Sequence, residues 1–134
     1  TGGHVAHLIT SVPGSSAYFQ GGLIPYHNDF KAGILGVNAA TLEQHGAVSE
    51  ATVIEMANNV RKLFKASYGI ASSGIAGPDG GTAEKPVGTV WLALSDGVQT
   101  VTKKLSLGRG RLHNIQSTST AALYLLWQSL TRNG

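Results

Sequence analysis

Apolar residues change their spacing several times along this chain, and each change marks an element. Over residues 3 to 10, Val5, Leu8 and Ile9 fall at helical spacing, and Pro13-Gly14 ends that element. Tyr18 to Tyr26 predicts a strand carrying Leu23 and Ile24, with Gly21-Gly22 marking a bulge or a close approach of backbone. Asn28 is placed to cap a short helix that runs through Leu35 and stops at Gly36. Ser49 opens the clearest helix, in which Val53, Met56, Ala57, Val60, Leu63 and Phe64 form one apolar stripe. Tyr68 to Ser72 predicts a short strand that feeds a glycine-rich loop. Val87–Leu94 and Val98–Leu107 predict a hairpin around Ser95-Asp96-Gly97, and Leu112–Leu130 a final amphipathic helix. Helices interspersed with strands imply a layered α/β fold, with the hairpin adding an antiparallel strand to a partly parallel sheet.

At 134 residues the chain is expected to form one domain with a real core. Charged residues are 13% of it and glycines number 18, a composition that suits a glycine-lined pocket or burial in a homo-oligomer. The net charge of +3 is spread too thinly for a nucleic-acid footprint, although it suffices for a small anion. The absence of cysteine excludes a disulfide framework and a thiolate zinc site within these residues. No apolar run approaches a membrane span and no signal peptide is visible, so a cytoplasmic protein without membrane contact is the expectation.

The densest chemical signal is Ser72-Ser73-Gly74-Ile75-Ala76-Gly77-Pro78-Asp79-Gly80-Gly81, closing through Glu84-Lys85-Pro86-Val87-Gly88-Thr89. Glycines in such a run let backbone approach a ligand, and their free N–H groups can cradle phosphate or carboxylate oxygens; an ordinary connecting loop is the plainer alternative. Thr1-Gly2-Gly3 leads straight into a helix, as in a phosphate turn whose strand is absent, so a preceding segment is expected. Gly14-Ser15-Ser16 stands before the first expected strand, and Lys31 lies fifteen residues after Ser16 on the following helix. A serine hydroxyl needs a base, and a lysine can be that base if desolvation and nearby positive charge keep it neutral. Phe30, Ile34 and Leu35 around Lys31 make its burial plausible on sequence grounds; a surface lysine is the alternative. His4 and His7 stand one helical turn apart without a third ligand nearby, which favours a solvated face over a metal site. A Ser-His-Asp triad using Asp29 or Asp79 stays open, with nothing in the spacing to favour it.

Taken in order, Pro13-Gly14-Ser15-Ser16-Ala17-Tyr18-Phe19, Tyr26-His27-Asn28-Asp29-Phe30-Lys31, Glu43-Gln44-His45-Gly46-Ala47-Val48-Ser49-Glu50, Ser73-Gly74-Ile75-Ala76-Gly77-Pro78-Asp79-Gly80-Gly81 and Glu84-Lys85-Pro86-Val87-Gly88-Thr89-Val90-Trp91 closely resemble the C-terminal domain of the CinA competence-damage family. The resemblance covers nearly the whole chain. It implies a three-layer α/β/α domain with a mixed, mostly parallel sheet. It also implies a nicotinamide-nucleotide amidase that hydrolyses nicotinamide mononucleotide to nicotinic acid mononucleotide and ammonia in pyridine-nucleotide recycling, without metal or cofactor. The matching catalytic positions are Ser16 and Lys31 as a Ser/Lys dyad, with Tyr26 as a polar helper. Substrate would meet Thr1, Gly2, Gly3, Ser73, Gly74 and Gly77, and its phosphate Arg111, or Arg109 if Gly108-Arg109-Gly110 shifts the register.

Two departures accompany the likeness. The family usually reads Glu-Ser-Cys-Thr-Gly-Gly where this chain starts at Thr1-Gly2-Gly3, so residues 1–134 are expected to be a single domain lacking its N-terminal helix and strand. Ile115 and Gln116 stand where further arginines are often found. A stand-alone chain and one fused to an N-terminal domain both fit. The rival expectation is a non-catalytic nucleotide-binding or interaction module of a CinA-type protein.

Overall fold

The computed structural model of the chain describes residues 1–133. Its organisation follows from one strand, β2 (Thr89–Ser95), whose side chains alternate between two apolar layers. Val90, Leu92 and Leu94 meet Ala122 and Leu125 of α5 (Arg111–Asn133), with Val5 of α1 (His4–Thr10) packed alongside. Trp91 and Ala93 face the other way, onto Val53, Met56 and Ala57 of α4 (Glu50–Leu63) and onto Leu35 and Val37. Helices thus cover both faces of the sheet, which is the expected α/β/α layering.

The sheet itself corrects an expectation. β1 (Gly69–Gly74) pairs antiparallel with β2, with Gly69 opposite Ser95 and Gly74 opposite Val90. β2 pairs antiparallel with β3 (Thr100–Ser106), with Thr89 opposite Ser106. The order is β1-β2-β3, and no parallel pair occurs among the described residues. Parallel pairing needs a crossover that returns the chain to the start of the previous strand. Residues 75–88 instead turn through the glycine loop at the end of β1, so β2 starts where β1 stops. The strand expected over Tyr18–Tyr26 also fails to form: the stretch joins no ladder. Its glycine signal was a close approach, because a Cβ on Gly21 would lie 2.6 Å from Phe64 Cε1.

Helix α4 starts as expected, with Ser49 Oγ accepting from the Thr52 N–H at 3.2 Å. Its stripe ends earlier than the pattern suggested, since Leu63 is 54% exposed. The cap of α2 (Asn28–Gly33) is His27 rather than Asn28: His27 Nδ1 accepts from the Asp29 N–H at 3.2 Å. A further helix, α3 (Ala39–His45), was not anticipated.

Candidate active site

At the C-terminal end of β1 the chain leaves the sheet, and the loop that follows is fixed from two directions. Arg111 and Asn114, one turn apart on α5, present their side chains on the same face of that helix. Arg111 Nη1 donates to the Gly77 carbonyl at 2.8 Å, and Asn114 Nδ2 donates to the Ala76 carbonyl at 3.0 Å. At the loop's far end Lys85 Nζ donates to the His45 carbonyl at 2.6 Å, a cation at the C-terminus of α3. Across the trans peptide between Ala76 and Gly77, the N–H points opposite to the carbonyl. The pull of Asn114 on Ala76 therefore turns the Gly77 N–H away from α5, and that N–H has no acceptor among the described residues. Gly77 sits at φ 92°, and a Cβ there would stand 2.5 Å from Val87 Cγ1, so this position requires glycine.

A cavity of about 1320 Å³ opens beside this loop. Thr1, Gly2, Gly3, Tyr26, Lys31, Ser73, Gly74, Gly77 and Arg111 all stand on its wall, so most of the residues singled out in the sequence come together. Ser16 and Arg109 do not. Ser16 is exposed in a single 3₁₀ turn, Ser15–Ala17, two residues before Tyr18, which does line the cavity. Arg109 is exposed between Gly108 and Gly110, so of the two arginines Arg111 is the one at the cavity.

Lys31 is the unusual group. It is 7% exposed, on a six-residue helix, and its Nζ donates to the Pro25 carbonyl at 2.7 Å. Burial holds its pKa below the ordinary lysine value, while the nearby Tyr26 phenol acts in the opposite direction. No hydrogen bond joins Lys31 to Ser16. Tyr26 Oη accepts from Arg111 Nη2 at 3.1 Å, which ties the stretch carrying Lys31 to the arginine that holds the loop. Thr1 stands on the same stretch of wall as both cations, Arg111 and Lys31. The site end of the cavity is thus cationic, and a neutral amine at Lys31 would have a carbonyl to donate to and a lone pair to offer.

Of the histidines, His4 places Nδ1 2.9 Å from Ser119 Oγ, and His113 Nε2 lies 3.2 Å from Ser117 Oγ. No group of three or more His, Asp or Glu among the described residues is placed to hold a metal ion. Asn114 is the residue that sequence reasoning passed over. It is 1% exposed, and its Oδ1 is buried without a partner among the described residues.

Comparison with known proteins places this geometry in context. Residues 1–130 match the CinA C-terminal domain family. The nicotinamide-nucleotide amidohydrolase PncC of Escherichia coli is 46% identical over 134 residues, covering 99% of this chain and 81% of that protein. A CinA-like protein of Amoebophilus asiaticus is 54% identical over 130 residues, 97% of this chain, and the chain spans 31% of that longer protein. Among solved structures, the competence/damage inducible protein CihA of Agrobacterium tumefaciens superposes with a TM-score of 0.93 at 39% identity, over 95% of this chain and 78% of that one.

Proposed function

The chain belongs to the CinA C-terminal domain family, and from that premise we propose that it is an amidohydrolase acting on the carboxamide of nicotinamide mononucleotide. The observation that carries this reading is the pairing of a 46% identical amidohydrolase relative with a buried lysine of lowered pKa at a cationic cavity. In this reading Ser16 Oγ attacks the carboxamide carbon while neutral Lys31 accepts its proton. The developing oxyanion is met by the outward Gly77 N–H or by Tyr26, and Lys31 returns the proton to the departing nitrogen, which leaves as ammonia. Water then attacks the acyl-serine ester, giving up its proton to Lys31. Collapse expels Ser16 Oγ, which takes that proton back and frees nicotinic acid mononucleotide. Lys31 can donate to the Pro25 carbonyl throughout, because a neutral amine keeps two N–H donors as well as its lone pair. Forming the dyad requires the short turn carrying Ser16 to close onto the cavity two residues away.

The substrate's phosphate is assigned to Arg111, whose guanidinium keeps N–H donors beyond the two it gives to Gly77 and Tyr26. Thr1, Gly2, Gly3, Ser73 and Gly74 line the remainder of the substrate space. The test is to incubate the protein with nicotinamide mononucleotide and to follow ammonia and nicotinic acid mononucleotide together. Equimolar appearance of both supports the reading. Release of free nicotinamide, or saturable binding of the mononucleotide without turnover, overturns it, and the second result marks a nucleotide-binding module.

A further inference from the structure

The main chain of the glycine loop leaves one peptide free to lie either way. Neither the Ala76 carbonyl nor the Gly77 N–H bonds to main chain among the described residues. Turning that peptide over would carry φ of Gly77 from 92° to about −88°, and glycine accepts both values. At Ala76, whose φ is not positive, the same motion is a half-turn in ψ that exchanges the two broad regions open to an L-residue. The next peptide is held separately, because Arg111 Nη1 donates to the Gly77 carbonyl. The backbone therefore permits two states that differ in what they turn toward the cavity: an N–H donor in one, a carbonyl oxygen in the other.

Only the first state can stabilise an oxyanion, so a side chain has to make the choice. Asn114 Nδ2 donates to the Ala76 carbonyl at 3.0 Å, and no other side chain bonds to either group of that peptide. An asparagine amide carries both polarities. With its oxygen toward the loop it would accept from a turned-over Gly77 N–H just as readily, yet Oδ1 is buried without a partner among the described residues. Arg111 accounts for which end faces the loop. Its guanidinium, one turn earlier on the same face, and the positive N-terminal end of α5 both favour carbonyl oxygens over N–H groups in that space. Asn114 is 1% exposed with half of its amide unsatisfied, an arrangement that a leucine of the same branching would avoid.

We propose that Asn114 is a positioning residue that sets the polarity of the oxyanion site, an inference that rests on the amidohydrolase reading. By donating to the Ala76 carbonyl it keeps the Gly77 N–H, and not a carbonyl oxygen, turned toward the reacting carboxamide. It does so without standing on the cavity wall itself, so it acts through the peptide and not on the substrate.

Two substitutions that keep the branching of the side chain separate this role from packing. Asn114→Asp retains acceptors only, so it repels the Ala76 carbonyl and receives the turned-over Gly77 N–H; Asn114→Leu retains neither donor nor acceptor. In the ammonia-release assay kcat should fall about hundredfold or more in Asn114→Asp and about tenfold in Asn114→Leu, with KM of the leucine variant within about threefold of the parent. A packing role gives the reverse order, with aspartate the milder change. Amide hydrogen exchange at Gly77, followed by NMR, should be fast in the parent and slower by about tenfold or more in Asn114→Asp. That second readout needs no turnover, so it decides the peptide's orientation even where the parent releases no ammonia, a result that would instead remove the proposed activity. Parental kcat in Asn114→Leu overturns the proposal, and so does equal exchange at Gly77 in the parent and the aspartate variant. A Gly77 amide already protected in the parent overturns it without any variant, which keeps the test decisive should Asn114→Asp fail to fold.

Discussion

Replacing Gly77 by alanine separates what the loop's backbone does from what its composition does. Gly77 is at φ 92°, in left-handed territory that costs an L-residue about 1–2 kcal/mol. The new Cβ would also stand 2.5 Å from Val87 Cγ1. Valine has a stiff χ1, so the overlap is relieved by moving backbone rather than by a rotamer change, and overpacking of this kind costs about 1–3 kcal/mol. Together these predict a loss of roughly 2–5 kcal/mol for Gly77→Ala. Val87→Ala removes Cγ1 and leaves its Cβ 3.8 Å from the new methyl, an ordinary contact. The steric share should then vanish in the double variant while the conformational share stays, a coupling of about 1–3 kcal/mol. Denaturant unfolding of the parent, both single variants and the double variant measures that coupling. The ammonia-release assay on the same four proteins should show kcat falling in Gly77→Ala and partly recovering in the double variant. Single effects that add to within about 0.5 kcal/mol would refute the steric argument. Undiminished kcat in Gly77→Ala would remove the Gly77 N–H from the proposed mechanism.

Ser16→Ala and Lys31→Ala should each abolish turnover with the fold intact by circular dichroism, and Lys31→Arg should fail too, because guanidinium does not deprotonate; near-parental rates in either alanine variant remove the dyad. Lys31→Met should be inactive yet more stable than the parent below alkaline pH. Burial lowers the folded pKa of Lys31, so the folded state binds fewer protons than the unfolded one, and the parent's stability climbs with pH between the folded value and about 10.4. Denaturant melts across that range should show the slope in the parent and not in the methionine variant; parallel curves would sink the assignment. Arg111→Gln should lower kcat for every substrate by freeing Gly77 and Tyr26, but should raise KM about tenfold or more only for the phosphorylated one. Equal KM changes for the mononucleotide and its dephosphorylated nucleoside would take the phosphate away from Arg111.

Elements with a local, one-sided signal were legible in the sequence. The Ser49 cap with its stripe, the Asp96-Gly97 hairpin and the long last helix all formed near their expected bounds. Helix α3 was not legible because it is made at a distance. Its one half-buried large apolar residue is Leu42, and its start is held by Glu55 of α4, whose carboxylate accepts from both the backbone and the side-chain nitrogen of Asn38 at 2.9 Å. The stretch over residues 18–26 failed in the opposite way. Leu23 and Ile24 beside paired glycines signalled an extended backbone, and that stretch lacks helix, but whether an extended segment finds a neighbour is a tertiary fact that its own residues do not encode.

The site was legible in its glycines and less so in its polar side chains, and the reason is a habit of reading helices. Burial of Lys31 was made plausible by Phe30, Ile34 and Leu35, with a surface lysine as the alternative; Lys31 and Leu35 are buried, whereas Phe30 and Ile34 are 53% and 59% exposed. On α5 the buried positions Leu125, Ala122 and Thr118 continue at helical spacing to Asn114 and then to the turn that carries Arg111. On α5 Asn114 thus continues the buried face, while on α2 Lys31 is itself the one buried residue. Burying an amide or an ammonium without full pairing is unfavourable by about 1–3 kcal/mol or more. Asn114 Oδ1 has no partner among the described residues, so a chain that keeps this amide on its inward face holds it there against its own stability. Extending the α5 stripe by phase rather than by hydrophobicity would have marked Asn114 from sequence alone, and its amide is the buried group that positions the Ala76–Gly77 peptide.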